Sequence, residues 1–166
     1  MIFLGIDPGT ASTGFGIVVE NNNGLKAVSY GMIRTDKRDA LPTRLQKIYR
    51  ETDQLIRRHS PDEVVIEELF FNQNAKTALA VGQARGVLCL AAADNELKPF
   101  EYTPLQVKMA VAGYGRARKD QIQFMVMKLL RLDSIPKPDD VADALALAIC
   151  HAHSRRLTGL AGRRGC

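Results

Sequence analysis

The chain has 166 residues, of which 46% are hydrophobic and 25% charged, which is ordinary for a folded soluble protein with one sizeable core. No apolar run approaches the ~20 residues of a membrane-spanning helix, and no basic segment precedes the short apolar N-terminus, so we expect neither a membrane span nor a signal peptide. The net charge is +5, and residues 103–166 hold 11 Lys and Arg against 5 Asp and Glu. This uneven charge favours a polyanionic partner, although a solvated basic surface explains it equally well.

The predicted elements begin with three strands at residues 2–7, 15–20 and 27–34, the last two joined by the hairpin turn Asn21-Asn-Asn-Gly24. Apolar residues at helical spacing then predict a helix over residues 41–59. The remaining elements, in order, are a strand at 64–67, a helix at 75–95, a strand at 99–102, a helix opened by Thr103 and Pro104, and helices at 119–132 and 139–155. This order predicts an α/β protein with a five-stranded mixed sheet flanked by helices.

Four acidic residues fall at the ends of these elements. Asp7 ends the first strand, because Pro8 and Gly9 cannot continue it, and Glu67 ends the strand at 64–67. Asp140 and Asp143 lie three residues apart at the start of the last helix and so face the same way. Singly, such acids are often solvated turn residues or partners of the helix dipole. Four of them in one small domain favour a functional site.

The acids have the chemistry that magnesium requires. Mg²⁺ takes about six oxygen ligands, and two such ions ~3.5–4 Å apart can hold the attacking water and the leaving oxygen of a phosphodiester. Asp143 is surrounded by small apolar residues at 141–145, which predicts a helix packed tightly against the sheet with this acid pressed into a cleft. The sequence therefore predicts a magnesium-dependent phosphodiesterase site.

The three cysteines, Cys89, Cys150 and Cys166, are odd in number and form no closely spaced pair. Two of them lie in apolar helical stretches, which is typical of buried thiols in a reducing compartment. The segment Cys150-His-Ala-His153 lacks a further ligand at the spacing of a zinc site. We therefore expect a cytoplasmic protein without structural zinc.

Two further segments suit nucleic acid. Phe70 and Phe71, with three amide side chains at 72–74, follow Glu67 directly and could stack on bases, although at least one ring is expected in the core. The glycine-punctuated loop at 113–119 carries Arg116, Arg118 and Lys119.

Five short motifs together resemble the RuvC family of bacterial Holliday-junction resolvases. They are Gly5-Ile-Asp-Pro-Gly9, Ile66-Glu67 followed by Phe70, Gly82-Gln-Ala-Arg-Gly86, Gln106-Val-Lys108 and Asp140-Val-Ala-Asp-Ala-Leu-Ala146. Each motif alone is weak, but the set in this order is specific and extends from residue 2 to about 153.

The resemblance implies an RNase H-like nuclease domain, which we place at residues 1–157, followed by a flexible basic tail at 158–166. It implies a homodimer that nicks two like-polarity strands of a four-way junction in a divalent-metal-dependent reaction. From the oxygen ligands we expect two Mg²⁺ ions per site, with Mn²⁺ able to substitute. It also implies partnership with the branch-migration proteins RuvA and RuvB. For the dimer we predict an interface on the helix at 75–95, where Ala78, Ala80 and Ala84 allow close approach.

The resemblance assigns roles by motif position. The catalytic metal ligands are Asp7, Glu67, Asp140 and Asp143. Phe70 meets the opened bases of the junction, and Lys108 and Lys119 match basic residues near the scissile phosphate and DNA backbone. We add Arg116 and Arg118 to the expected DNA contacts, whereas Glu68 matches no known role.

Two other classes remain as alternatives. Actin-like ATPases and sugar kinases also begin with an Asp-x-Gly turn, but they need two lobes, and this chain has length for one. A DNA-binding module without catalysis is the other alternative, and the presence of all four acids argues against it.

Overall fold

The computed structural model describes residues 1–68 and 75–162, with only the helix backbone at 75–77 and 157–162. Within these ranges the chain forms five strands and five helices. In chain order they are β1 Ile2–Asp7, β2 Ser12–Asn21, β3 Gly24–Arg34, α1 Leu41–His59, β4 Glu63–Glu67, α2 Ala75–Asp94, β5 Pro99–Tyr102, α3 Pro104–Ala112, α4 Lys119–Leu129 and α5 Asp139–Gly162. No helix in the described part of the chain is long and apolar enough to cross a membrane.

The five strands form one mixed sheet in the order β3-β2-β1-β4-β5. The hairpin strands β1, β2 and β3 pair antiparallel, whereas β4 pairs parallel with both β1 and β5. The predicted five-stranded mixed sheet is therefore confirmed. In the β1–β4 register Ile6 lies opposite Ile66, so Asp7 and Glu67 each follow directly at the same end of two neighbouring strands.

Alternating side chains divide the core between the two faces of the sheet. Phe3 and Val65 pack in one cluster with residues of α3, α4 and α5, whereas Leu4, Ile6 and Ile66 pack in a second cluster with α1 and α2. Because successive strand residues point to opposite faces, Asp7 and Glu67 are directed to the face that α5 covers.

Glycines let α5 lie against the sheet backbone. A Cβ atom on Gly5 would stand 2.1 Å from the carbonyl oxygen of Ala144, and one on Gly14 would stand 2.0 Å from that of Asp140. These distances are far shorter than any van der Waals contact, so only glycine fits at either position. The tight packing of the last helix is confirmed, and it fixes the height of Asp140 and Asp143 above β1 and β2.

Four predicted boundaries were wrong. β2 begins at Ser12, because Ser12 and Thr13 already pair with Arg34 and Ile33 of β3. β3 begins at Gly24, because the hairpin pairing extends to Asn21 and Gly24. α4 ends at Leu129, just before Arg131 takes a left-handed φ of 55°. α5 continues past residue 155 to Gly162, so the tail predicted from residue 158 begins as helix; residues 163–166 lie outside the described ranges.

Candidate active site

Carboxylates from β1, β4 and α5 approach one another at the carboxyl end of the central strands. Burial raises the pKa of Asp7 to about 8, and repulsion from Glu67, Asp143 and Asp140 adds to the rise. Burial also raises the pKa of Glu67 and of Asp143. The structure thus brings the four predicted acids into one electrostatically coupled group, whose negative charges are costly without a cation.

Asp7 and Glu67 share a hydrogen bond between their side chains. The bond lowers the pKa of Glu67 against the effect of burial, while repulsion from Glu67 raises the pKa of Asp7. Charge on one carboxyl therefore disfavours charge on the other, as expected for two acids on neighbouring strand ends.

Asp143 has a cationic partner. Its Oδ2 atom lies 3.1 Å from the Lys119 Nζ atom, which is also 3.2 Å from Asp139 Oδ2. Asp139 Oδ1 accepts a second hydrogen bond from Gln123 Nε2 at 2.8 Å. Bonds from Lys119 and Gln123 lower the pKa of Asp139. Neither Asp139 nor Gln123 was predicted as a site residue; the one signal in the sequence is that Asp139 adjoins Asp140.

Asp140 is held on the other side of the cluster. The Ser12 hydroxyl at the start of β2 donates to Asp140 Oδ2 at 2.5 Å. The neighbouring Thr13 is fully buried and donates to the Gly9 carbonyl oxygen at 2.7 Å, which fixes the turn after Asp7. Ser12 was also missed, because its contact depends on where the last helix meets the hairpin.

The acids suit a hard divalent cation by their chemistry, since all four offer carboxylate oxygens and three are held in surroundings that disfavour their charged form. Nevertheless, among residues 1–68 and 75–162 no three acid, histidine or cysteine side chains already stand in the geometry of a metal site. In this arrangement Asp7 contacts Glu67, Asp143 contacts Lys119, and Asp140 contacts Ser12.

A cleft of about 230 Å³ opens beside the acids. Glu67 and Asp143 line it together with Lys108 of α3 and Lys119 of α4, and apolar side chains from α3, α4 and α5 complete the wall. The two lysines predicted near the scissile phosphate therefore lie in the same cleft as two of the acids. A cleft with acids on one wall and ammonium groups on another can receive a phosphodiester that is bound through cations.

Of the other predicted DNA contacts, two arginines lie in the described structure and Phe70 does not. Arg116 and Arg118 are exposed in the loop before α4, and Arg118 forms an ion pair with Asp120 at 2.8 Å. Phe70 and Phe71 lie outside the described residues, so their roles stay predictions. Glu68 is exposed, and its backbone N–H donates to the Tyr102 carbonyl oxygen at 3.0 Å.

The histidine segment of α5 makes other contacts. His151 is buried and lies 2.8 Å from the Tyr102 hydroxyl and 2.6 Å from Glu63 Oε2, while His153 lies 3.0 Å from the Ala110 carbonyl oxygen. Burial raises the pKa of Cys150 to about 11, which keeps this thiol protonated and unreactive. These residues tie α5 to the sheet and to α3.

Comparison with known proteins agrees with this architecture. The family model "Crossover junction endodeoxyribonuclease RuvC" matches residues 3–151. The chain is 60% identical over 158 residues to the protein of that name from Alkaliphilus oremlandii, covering 95% of this chain and 96% of the relative.

Solved structures give the same result. A Thermus thermophilus RuvC structure superposes with a TM-score of 0.89 at 32% identity, covering 95% of this chain and 97% of that one. T. thermophilus RuvC in complex with Holliday junction substrate superposes with a TM-score of 0.90 at 33% identity, covering 95% and 96% of the two chains. The fold is therefore RNase H-like, and the chain belongs to the RuvC family of crossover junction endodeoxyribonucleases.

Proposed function

We propose that this protein resolves four-way DNA junctions during recombination and repair by paired, metal-dependent nicks in strands of like polarity. The observation that carries the proposal is the coupled acid group beside Lys108 and Lys119 in one cleft. Membership of the RuvC family supports the substrate, since a RuvC relative of the same fold was solved in complex with a Holliday junction.

We assign the metal to the four acids. All four are partly buried, and Asp140 accepts a hydrogen bond from Ser12 at the start of β2. When bound, a pair of Mg²⁺ ions polarises the phosphate and favours deprotonation of the attacking water. A cation bound beside Asp7 and Glu67 would lower the pKa of both carboxyls and so favour their charged forms.

The chain's own cations position the DNA. Lys108 and Lys119 enter the cleft from two different helices, so they can contact phosphates on either side of the bond that is cut. Arg116 and Arg118 extend this positive surface along the loop before α4. Phosphate contacts of this kind fix the register of the backbone without reading sequence. Phe70 is proposed to stack on a base opened at the crossover.

Two nicks placed symmetrically across a junction require two sites, and hence a homodimer with two-fold symmetry. We propose α2 as its interface. Among the side chains that the structure describes on this helix, the exposed large apolar ones are Leu79 and Leu90, with 68% and 53% of their surface accessible. Gly86 between them faces open space. Ala84 was wrongly included in the predicted interface, because it is fully buried against the protein's own core.

The dimer is tested by light scattering. We expect a dimer at micromolar concentration, and Leu90→Glu should shift it toward the monomer, whereas Leu105→Glu on the distant α3 surface should not. A wild-type chain that stays monomeric, even on junction DNA, would refute the dimer.

The remaining biological context follows from the family. We propose that the protein acts in the cytoplasm with RuvA and RuvB, which bind the junction and move its branch point. The nuclease domain is proposed to comprise residues 1–157, with the segment from 158 dispensable for the chemistry.

The decisive experiment is cleavage of a synthetic four-way junction in Mg²⁺, with linear duplex of the same sequence as the control substrate. We expect symmetric nicks in the junction and little cutting of the duplex. Asp7→Asn should remove cleavage and retain binding. Equal cutting of both substrates, or cleavage that survives excess chelator, would overturn the proposal.

A further inference from the structure

Lys119 is held by two carboxylates, only one of which belongs to the proposed metal site. Its Nζ atom lies 3.1 Å from Asp143 Oδ2 and 3.2 Å from Asp139 Oδ2. The second carboxylate is itself fixed, because Asp139 Oδ1 accepts from Gln123 Nε2 at 2.8 Å. The arrangement spans two helices, since Lys119 and Gln123 lie one turn apart on α4 while Asp139 and Asp143 lie one turn apart on α5.

The two carboxylates differ in their surroundings. Asp143 is the less exposed, with 33% of its side chain accessible against 58% for Asp139, and it lines the cleft together with Glu67. Asp139 has no place in the cleft wall. A divalent cation among the acids would therefore compete with the Lys119 ammonium for Asp143 and leave Asp139 untouched.

We propose that Asp139, fixed by Gln123, is a positioning residue that keeps the Lys119 ammonium at the rim of the cleft when Asp143 turns to a divalent cation. This inference rests on the proposed function, because it assumes that Asp143 is a metal ligand. With Asp139 present, Lys119 retains one anionic partner after it gives up Asp143. Without Asp139, Lys119 must give up its only carboxylate partner, so it competes more strongly with the metal.

A direct effect of the Asp139 charge on metal binding is a different explanation, which the test must distinguish from the positioning role. The negative charge of Asp139 would attract any cation to the site, whether or not Lys119 is present. Asp139 also lies in the first turn of α5, where an acid stabilises the helix. Only the positioning role makes the effect of Asp139 on metal affinity depend on Lys119. Only that role also predicts lower metal affinity in Gln123→Ala, because this replacement changes no charge.

The test is Mn²⁺ binding to the folded protein without DNA, with free Mn²⁺ measured by electron paramagnetic resonance. Asp139→Asn should raise the dissociation constant about two- to fivefold, as expected for an exposed ion pair, and Gln123→Ala should raise it less but in the same direction. In a Lys119→Met background Asp139→Asn should have no effect. The exposed Asp133→Asn controls for the change in net charge.

Two results would overturn the inference. One is an effect of Asp139→Asn that is equally large in the Lys119→Met background, which would show simple electrostatics. The other is unchanged Mn²⁺ affinity in both Asp139→Asn and Gln123→Ala. If Asp139→Asn melts early, Gln123→Ala still decides between the outcomes.

Junction cleavage gives an independent measurement. At saturating Mg²⁺, Asp139→Asn should lower kcat and leave junction affinity within twofold, because a released Lys119 spends less time near the phosphate. A wild-type protein that does not cut junctions would refute the proposed function, whereas the Mn²⁺ comparison would still report on the Lys119 contacts. A normal kcat in Asp139→Asn, with wild-type cleavage intact, would reject the positioning role alone.

Discussion

Replacing Asp7 by Asn should stabilise the metal-free protein although it removes cleavage. Burial and neighbouring acids raise the pKa of Asp7 from 3.8 to about 8 in the folded state. Between these values the folded chain binds more protons than the unfolded chain, so the wild-type free energy of unfolding falls as the pH rises and levels off above about 8. At pH 7 the loss is on the order of 4 kcal/mol, at about 1.4 kcal/mol per pKa unit.

Asn at position 7 resembles the protonated acid, because its amide can donate to Glu67 without carrying charge. In chelator at pH 7, Asp7→Asn should therefore melt roughly 10 °C above the wild type for a gain of a few kcal/mol in a domain of this size. The difference should shrink steadily toward pH 4. Added Mg²⁺ should raise the melting temperature of the wild type and have little effect on Asp7→Asn.

The assay is thermal melting in excess chelator at pH 4.5, 6, 7 and 8.5. Asp133→Asn removes one exposed negative charge and serves as the matched control. If Asp7→Asn is no more stable than the wild type at pH 7, or if their difference is independent of pH, then the pKa of Asp7 is not raised in the folded state.

Four further predictions follow from the site and the fold. Changing each of the four acids singly to its amide should abolish or severely reduce junction cleavage while binding persists; near-normal rates in any two of the variants would contradict the assignment. Mn²⁺ should replace Mg²⁺, whereas Ca²⁺ should permit binding with little turnover, because its larger and looser shell misplaces the water; cleavage rates in the three ions decide this. Arg118→Ala and Lys119→Ala should each reduce the salt dependence of junction binding by about one unit of slope, and unchanged slopes would indicate a merely solvated loop. Gly5→Ala should cost about 1–3 kcal/mol in melting experiments and lower cleavage, since its Cβ would stand 2.1 Å from the Ala144 carbonyl oxygen; a melting temperature equal to that of the wild type would contradict this close approach.

Local signals in the sequence were sufficient for most of the fold. β1 ends where Pro8 and Gly9 require it, and α3 begins with the capping box of Thr103 and Gln106. The positions of Asp7 and Glu67 followed from the same reasoning, because acids at the ends of buried strands must turn toward a cleft. These features depend on a few adjacent residues and on strand alternation.

The parts that were missed depend on contacts between distant elements. Ser12 reaches Asp140, and Gln123 reaches Asp139, only because α5 lies across the hairpin and beside α4. The dimer surface was hard to predict for a different reason. The apolar residues of α2 are not concentrated on one face, so the sequence does not show which side of the helix packs inward. Ala84 was therefore assigned to the wrong face.

The packing of α5 on the two glycines also determines when the enzyme can become active. Ser12 and Asp140 are 128 positions apart, and the buried residues of α5 complete the larger core cluster. A growing chain therefore has its first acid early, but it gains the second half of the site only when residues 139–143 have been synthesised. Any partial unfolding that lifts α5 from the sheet should inactivate the nuclease while the hairpin stays intact. Without α5 the sheet carries only two of the four acids, Asp7 and Glu67.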